Sequence, residues 1–296
     1  MSAHDAPPAR RLYYSVRSGK RDPERGFGLA DFKLFFLAAF DRMETRGLFQ
    51  EWFGYSCVDA GEVWGKARGD VSLFVFRKLR RHELWPVAAS LAGYGEDDLF
   101  DIIEFLFDHA SEGVEGLHHT FSDCGWHYRT FDAKRGQARF RREMNEILVD
   151  YGDGFELSPA GEILTLPNDE FAPLLAAELP HGDVSNVVER VAAAKLKYRR
   201  RALSERKDAV RDLADVLEFL RPEAKKALRS KDEGELFQLA NNFGIRHHNK
   251  DQKTDYDESI WLSWMFYHYL ASIHACVRLV EKGAAADSNA PRRRDR

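Results

Sequence analysis

The chain has few cysteines, and they lie far apart. Only three of its 296 residues are cysteines: Cys57, Cys124 and Cys276. No two of them have the CxxC spacing that is typical of zinc sites, and three distant cysteines do not make a disulfide framework. The pattern argues against both kinds of cross-link and is typical of a protein in the reducing cytoplasm.

Long apolar runs are missing as well. The longest, such as FKLFFLAAF, reach only about half the length of a membrane span. The N-terminus, MSAHDAPPARRLYYSV, has no long apolar run after its basic residues, so we expect it not to be a secretory signal peptide. We therefore expect a protein without a membrane segment.

The chain also lacks a net positive charge. Its formal net charge is −4, with an isoelectric point of about 6.3, so any affinity for nucleic acid must come from a local basic patch. Hydrophobic residues make up 44% and aromatic residues 12%, which is enough for a substantial core. The length fits one large domain or two modest ones.

What is present is mainly helical periodicity. Apolar residues recur at helical spacing in DFKLFFLAAFDRMETRGLFQEWF, SLFVFRKLRRHEL, DDLFDIIEFLFDHA and QARFRREMNEILVDY. One stretch, GFELSPAGEILTL, predicts a small β-hairpin near residues 154–166. Helices are expected again after Pro167, one of them ending at Arg221 before Pro222. The last is a long aromatic helix, ESIWLSWMFYHYLASIHACVRLVEK.

These elements predict two domains in a mainly α fold. Residues 1–28 form a flexible leader, and residues 29–170 form an N-terminal helical module that contains the single hairpin. Residues 180–283 form a C-terminal helical bundle, with the boundary between the two near residues 167–182. Residues 284–296 have the composition of a disordered basic tail.

The densest polar cluster is LANNFGIRHHNKDQKTDYD, residues 239–257. It brings together Asn242, Arg246, His247, His248 and Lys250. A neutral histidine can take the proton of a ribose 2′-hydroxyl while an arginine stabilises the charge on the adjacent phosphate, a reaction that needs RNA but no metal. The alternative is a solvated loop whose Asn and His side chains cap helix ends. Adjacent histidines lack the i, i+4 spacing of a helical metal site.

A second histidine-rich segment is GLHHTFSDCGWHYR. It contains His118, His119, Cys124 and His127, and the last three approach a metal-ligand spacing. Only one cysteine is present there and no second ligand pair follows. The segment is therefore predicted to be a loop or a partly packed aromatic cluster, and no metal or other cofactor is predicted.

The run KLKYRRRALSERK is strongly basic. With one tyrosine interleaved, it resembles a phosphate-binding helix face, and a solvated helix surface is the alternative. The residues predicted to contact RNA are Lys195, Lys197, Arg199, Arg200 and Arg201, together with Lys250.

The stretch from Leu239 to Lys282 resembles the last two helices of HEPN-like domains in bacterial abortive-infection (AbiJ-like) proteins. The segments DDLFDIIEFLFDHA and FRREMNEILVDYGDGFELSPAGEI resemble the N-terminal modules of such proteins. HEPN-like domains are helical bundles, often dimeric, and many are metal-independent ribonucleases with an arginine four to six positions before a histidine. If His247 takes the histidine position, the arginine expected near Ala240 or Asn241 is absent, and Arg246 would have to supply the cation.

The resemblance implies an RNA-directed effector of phage defence or of a toxin-type system, in one form a metal-independent endoribonuclease. Arg246, His247, His248 and Asn242 would be its catalytic residues. It also implies a homodimer through the C-terminal bundle and a regulatory partner for the N-terminal module. The alternative is a non-enzymatic helical adaptor, or an RNA- or nucleotide-binding module with a degenerate site.

Overall fold

The computed structural model describes residues 11–20, 26–168, 170–180, 183–227 and 258–288. The chain divides into two compact units, Met1–Ile163 and Leu164–Arg296, which we call unit 1 and unit 2. Each has a hydrophobic cluster of its own. Most of the described residues are helical, so the predicted mainly α fold class is confirmed.

Unit 1 combines seven described α-helices with short strands. Its elements are α1 (Tyr14–Arg17), α2 (Leu29–Thr45), α3 (Gln50–Phe53), β1 (Tyr55–Cys57), β2 (Gly61–Val63), α4 (Val71–Leu79), α5 (Val87–Ser90), α6 (Glu96–Asp108), β3 (Glu112–His119), β4 (Gly125–Asp132), α7 (Ala133–Leu148) and β5 (Phe155–Leu157). Strand β6 (Ile163–Thr165) spans the division between the units. Unit 2 continues with α8 (Ala172–Ala176), α9 (Glu189–Tyr198), α10 (Leu203–Ala227) and α11 (Glu258–Ser288).

The described strands form three two-stranded sheets, β1–β2, β3–β4 and β5–β6. The last of these is the hairpin predicted near residues 154–166. The prediction of only one hairpin is wrong, because β1–β2 and the longer β3–β4 ribbon are also paired, both antiparallel. The β3–β4 sequence does not predict strands because it is rich in glycine, which is unfavourable in strands and obscures their alternating pattern.

The core of unit 1 is built from α2, α6 and α7. Residues spaced three and four apart place one face of each helix against the others, as an amphipathic helix requires. Burying each large apolar side chain contributes about 1.5–3 kcal/mol. The fully buried residues on these faces are Phe32, Phe36, Ala39, Met43, Leu99, Ile102, Ile103, Leu106, Phe140, Met144 and Leu148.

The β3–β4 ribbon is joined to this core through α7. Strand β4 leads directly into the helix, where the Asp132 side chain caps the N-terminus by accepting a hydrogen bond from the Arg135 N–H at 3.0 Å. One turn into α7, Gly136 lies against the backbone of Ser111 and Glu112, at the start of β3. The first turn of α7 thus fixes the base of the ribbon.

Unit 2 is a helical cluster in which α10 packs against both α9 and α11. The rings of Tyr198 and Phe266 stack with centroids 3.7 Å apart. Helix α10 runs through Pro222 to Ala227, so the prediction that it ends at Arg221 is wrong. Leu220 and Ala224 remain buried on either side of the proline, and this packing favours continuing the helix. Within the described parts of the chain, no helix combines the length and hydrophobicity needed to cross a bilayer.

Candidate metal centre

The β3–β4 ribbon presents different side chains on its two faces. Leu117 pairs with His127, and His118 pairs with Trp126. Because successive side chains of a strand point to opposite faces, His119 and His127 share one face while His118 and Trp126 share the other. The rings of His119 and His127 lie edge to face, with centroids 5.6 Å apart.

Two left-handed residues shape the turn between the strands. Ser122 has φ 55° and Gly125 has φ 79°, a conformation that glycine adopts without steric cost. The turn carries Cys124 back toward the histidines. The segment predicted as a loop is therefore an ordered ribbon, and its turn places the Cys124 thiol near His119 and His127.

A fourth donor comes from a separate hairpin. Cys57 ends β1, is 7% exposed, and faces Gly61 across the β1–β2 pair. One ligand atom from each of Cys57, His119, Cys124 and His127 forms a set in which all the atoms lie within 4.8 Å of one another. The Cys57 Sγ lies 3.7 Å from the Nδ1 of His119. In a tetrahedral zinc site, metal–ligand bonds of about 2.0–2.3 Å place neighbouring ligand atoms roughly 3.5 Å apart.

The environment of the histidines fits metal ligands. The Nε2 of His119 lies 3.1 Å from the Asp59 Oδ2, so the Nε2–H can donate to the carboxylate and leave the Nδ1 lone pair for the centre. The His127 ring stacks on Tyr55 at 4.2 Å. Its buried Nε2 has no hydrogen-bond partner, a costly state unless another group satisfies the atom.

The same contacts also have the order of a Cys–His–Asp catalytic triad, in Cys57, His119 and Asp59. A nucleophilic thiol needs access to its substrate, whereas Cys57 is almost fully buried. Two further donors, from Cys124 and His127, lie within 4.8 Å of the Cys57 thiol. Four converging ligands favour a closed metal centre over a nucleophile.

The histidine-rich segment contains only one cysteine, so its spacing alone predicts no metal site. The second thiol of the set, Cys57, lies 62 positions before His119 and is brought to it by the fold. A signal was available in YSCVDAGEV, where a cysteine is followed two positions later by an acidic residue and then by a tight turn. That pattern is too common to single out without the fold.

The predicted ribonuclease residues lie elsewhere. Asn242, Arg246, His247, His248 and Lys250 fall outside the residues that the structure describes, and their roles stay predictions.

The basic run begins in the last turn of α9 and continues past its end through Arg199, Arg200 and Arg201. These residues are within the described part of the chain, and the predicted cations have partners inside unit 2. Lys195 donates to the Ala177 carbonyl at 2.7 Å, and burial lowers the pKa of Lys195. Lys197 pairs with Asp212 at 2.7 Å. The remaining contacts join Arg199 to the Thr165 carbonyl and Arg200 to Glu205, and Arg201 also takes part in an interaction. Phosphate binding by these residues stays a prediction, and it would compete with these contacts.

Comparison with family models, curated proteins and solved structures finds no match to this chain.

Proposed function

We propose that unit 1 is a zinc-binding module in which Cys57, His119, Cys124 and His127 hold one structural Zn²⁺. The observation that carries the proposal is the convergence of these four donors from two separate hairpins to within 4.8 Å. Two thiolates and two imidazoles form one of the common ligand sets of structural zinc sites, and soft thiolates disfavour magnesium and calcium.

A closed set of four protein ligands points to a structural role for the ion. Isolated two-stranded hairpins are marginally stable in water, and both β1–β2 and β3–β4 are of this kind. An ion shared between them would tie the two hairpins together, so that the free energy of metal binding adds to the stability of the fold.

Two matched pairs of variants test this proposal in the full-length protein, purified under reducing conditions. Elemental analysis should find one zinc per chain in the wild type. His119→Ala should lose the ion, while His118→Ala, one residue away on the opposite face of the ribbon, should keep it. Likewise Cys57→Ala should lose zinc and Cys276→Ala, a buried cysteine of unit 2, should retain it. Equal zinc content in both members of each pair would overturn the proposal.

For the whole chain, the resemblance to HEPN-like abortive-infection proteins supports a second proposal, an RNA-directed effector of phage defence. His247 would remove the 2′-hydroxyl proton and Arg246 would hold the phosphate, with His248 or Asn242 orienting the leaving group. The proposal includes a homodimer through the C-terminal bundle. It also includes RNA binding by Lys195, Lys197, Arg199, Arg200, Arg201 and Lys250. Its alternative is a non-enzymatic adaptor.

Cleavage of RNA in the presence of a chelator distinguishes these possibilities. The expected products end in 2′,3′-cyclic phosphate or its hydrolysis product. His247→Ala should lower the rate by roughly 10²–10⁴-fold. Arg246→Lys should also lower it, since lysine lacks the planar fork of donors. The zinc content is measured after chelation, so that loss of the structural ion is not mistaken for loss of chemistry. Intact RNA with a folded, zinc-loaded protein would favour the adaptor.

A further inference from the structure

The face of the β3–β4 ribbon opposite the metal ligands borders a groove of about 720 Å³. Strand alternation places His118, Trp126 and Tyr128 on this face. The groove is also lined by Arg46, which directly follows α2, and by Gln50 of α3. Its size is typical of a small-molecule site.

Tyr128 is the fixed base of an aromatic stack. A Cβ at Gly113 would lie 2.1 Å from its ring, and a Cβ at Gly116 would lie 2.7 Å from it, so the ring occupies space that only glycines leave open. Trp126 stacks on Tyr128 with an interplanar angle of 9° and centroids 5.7 Å apart. His118 meets Trp126 edge to face at 5.1 Å. Trp126 remains 43% exposed, so the stack ends in an accessible indole.

The backbone of this aromatic pair is held by Gln50. Its Nε2 donates to the Trp126 carbonyl at 2.6 Å, and its Oε1 accepts a hydrogen bond from the Tyr128 N–H at 3.2 Å. One amide from α3 thus bridges both residues of β4. The rings are positioned before any ligand arrives, which lowers the entropic cost of binding.

A group of arginines lies along α2 and α7, beside the stack. Among the residues that the structure describes, four guanidinium groups share two carboxylates, at N···O distances of 3.5–3.7 Å, so these six groups carry an excess of two positive charges. These separations exceed the roughly 2.7–2.9 Å of strong charge-assisted hydrogen bonds. The cluster consists of Arg42, Arg46, Arg135 and Arg139 with Glu112 and Glu143; Arg46, Glu112 and Arg139 also line the groove.

Glu44 adds an opposing charge to the groove wall. Desolvation and the nearby Asp41 both raise the pKa of Glu44.

We propose that this groove binds a nucleobase–phosphate unit, with the base stacked on Trp126 and the phosphate held by Arg46 and Arg139. Aromatic platforms beside a basic groove are how proteins hold single-stranded nucleic acid without reading its sequence. The unit can come from single-stranded RNA or from a free nucleotide, since both offer the same chemistry. The inference rests on the RNA-directed proposal only for its ligand class, and it requires binding but not cleavage.

The test is photo-crosslinking of zinc-loaded, full-length protein to a short single-stranded RNA that carries 4-thiouridine, followed by peptide mapping. A crosslink within Gly125–Arg129 is expected. Mapping the crosslink separates this groove from RNA bound by unit 2, and scoring crosslinks rather than products separates it from cleavage. An RNA that crosslinks only in unit 2 would overturn the inference and leave the ribonuclease proposal standing.

Matched variants set the expected size of the effect. Trp126→Ala should weaken affinity at the groove by roughly 5- to 150-fold, the loss typical of one stacked base, and Trp126→Phe should restore part of it. Arg46→Gln should reduce the salt dependence of binding. Trp64→Ala removes a more exposed tryptophan that does not line the groove and should change nothing. If Trp126→Ala and Trp64→Ala bind the RNA with equal affinity while both retain their zinc, the inference is wrong.

Competition separates the two sources of the ligand. A mixture of nucleoside monophosphates and triphosphates at micromolar concentration should displace the crosslink if the groove is a nucleotide site. Displacement only by unlabelled oligonucleotide identifies single-stranded RNA. Displacement by neither would show that the crosslink is not specific binding, and would also overturn the inference.

Discussion

Two adjacent histidines carry different chemistry because a strand alternates its faces. His118 lies beside Trp126 above the groove, whereas His119 lies beside Cys57 in the proposed metal centre. His119 also differs from His118 in its contact with Asp59, whose carboxylate is 3.1 Å from the Nε2 of His119. Asp59 is not among the four proposed ligands, but it can fix the tautomer and the orientation of His119.

The first prediction concerns this carboxylate. Asp59→Asn keeps the size of the side chain but loses the charge that favours donation from His119, so zinc affinity should fall by roughly 10- to 100-fold. Competition with a chromogenic zinc chelator measures the change. Glu62→Gln, which removes another carboxylate of the same hairpin, should leave the affinity unaltered. An equal effect of both variants would mean that Asp59 acts only through net charge.

A second prediction concerns His109, which is surrounded by the rings of Trp52, Phe74 and Phe105. Burial lowers the pKa of His109 from 6.5. As the pH falls through about 6.5, His109 becomes protonated in the unfolded chain but stays neutral in the folded chain. Acid therefore reduces the free energy of unfolding. His109→Phe should therefore weaken the decline in stability between pH 7.5 and pH 5.5.

Denaturant unfolding of wild type and variant at both pH values checks the His109 prediction. The proposed zinc centre would also respond to acid, so the informative quantity is the difference between the two pH dependences, each measured with zinc in excess. Identical pH dependences would show that His109 does not contribute to acid sensitivity.

At the scale of elements, regular periodicity made the helices predictable. Phe32, Phe36 and Phe40 recur every four residues and are buried, as that spacing predicts. Phe35, which shared the pattern, is 50% exposed, because a helical repeat does not define how wide the buried stripe is.

The β3–β4 ribbon and the metal centre could not be predicted in this way. Gly113 and Gly116 weaken any strand signal, and their purpose, making room for the Tyr128 ring, is visible only once the strands are paired. Cys57 reaches the histidines through tertiary contacts alone. Local sequence therefore predicted the helical frame, while the candidate site depends on pairing between segments that are distant in sequence.

The third prediction tests how closely the ribbon is attached to α7. Alanine is the better helix former by about 0.5–1 kcal/mol, so Gly136→Ala would stabilise an isolated helix. In the protein, however, a Cβ at Gly136 would lie 2.4 Å from the Ser111 Cα and 2.5 Å from the Glu112 nitrogen. Overpacking against backbone costs about 1–3 kcal/mol, so the net effect should be a loss of up to roughly 2 kcal/mol.

Denaturant unfolding measures this loss. Gly93→Ala is the control, since a Cβ there would have no atom within 4 Å, and its effect should stay within about 0.5 kcal/mol. A more stable Gly136→Ala protein would mean that the ribbon can move away from α7 at little cost.

At the scale of the whole molecule, the two units have separate hydrophobic clusters but differ in what supports them. The core of unit 2 is helical, with Tyr269 and Phe266 fully buried on α11. Unit 1 combines a helical core with strand pairs that we propose zinc holds together. Zinc should therefore stabilise one unit and not the other.

The last prediction follows from this asymmetry. Calorimetry should resolve two unfolding transitions, and removing zinc with a chelator under reducing conditions should lower only that of unit 1. A ligand at about 1,000 times its Kd stabilises by about 4 kcal/mol, which corresponds to roughly 8–16 °C for a domain of this size. His119→Ala should unfold at the lower temperature with or without chelator, because it no longer holds the ion. A chelator that shifts both transitions equally, or neither, would contradict a structural zinc confined to unit 1.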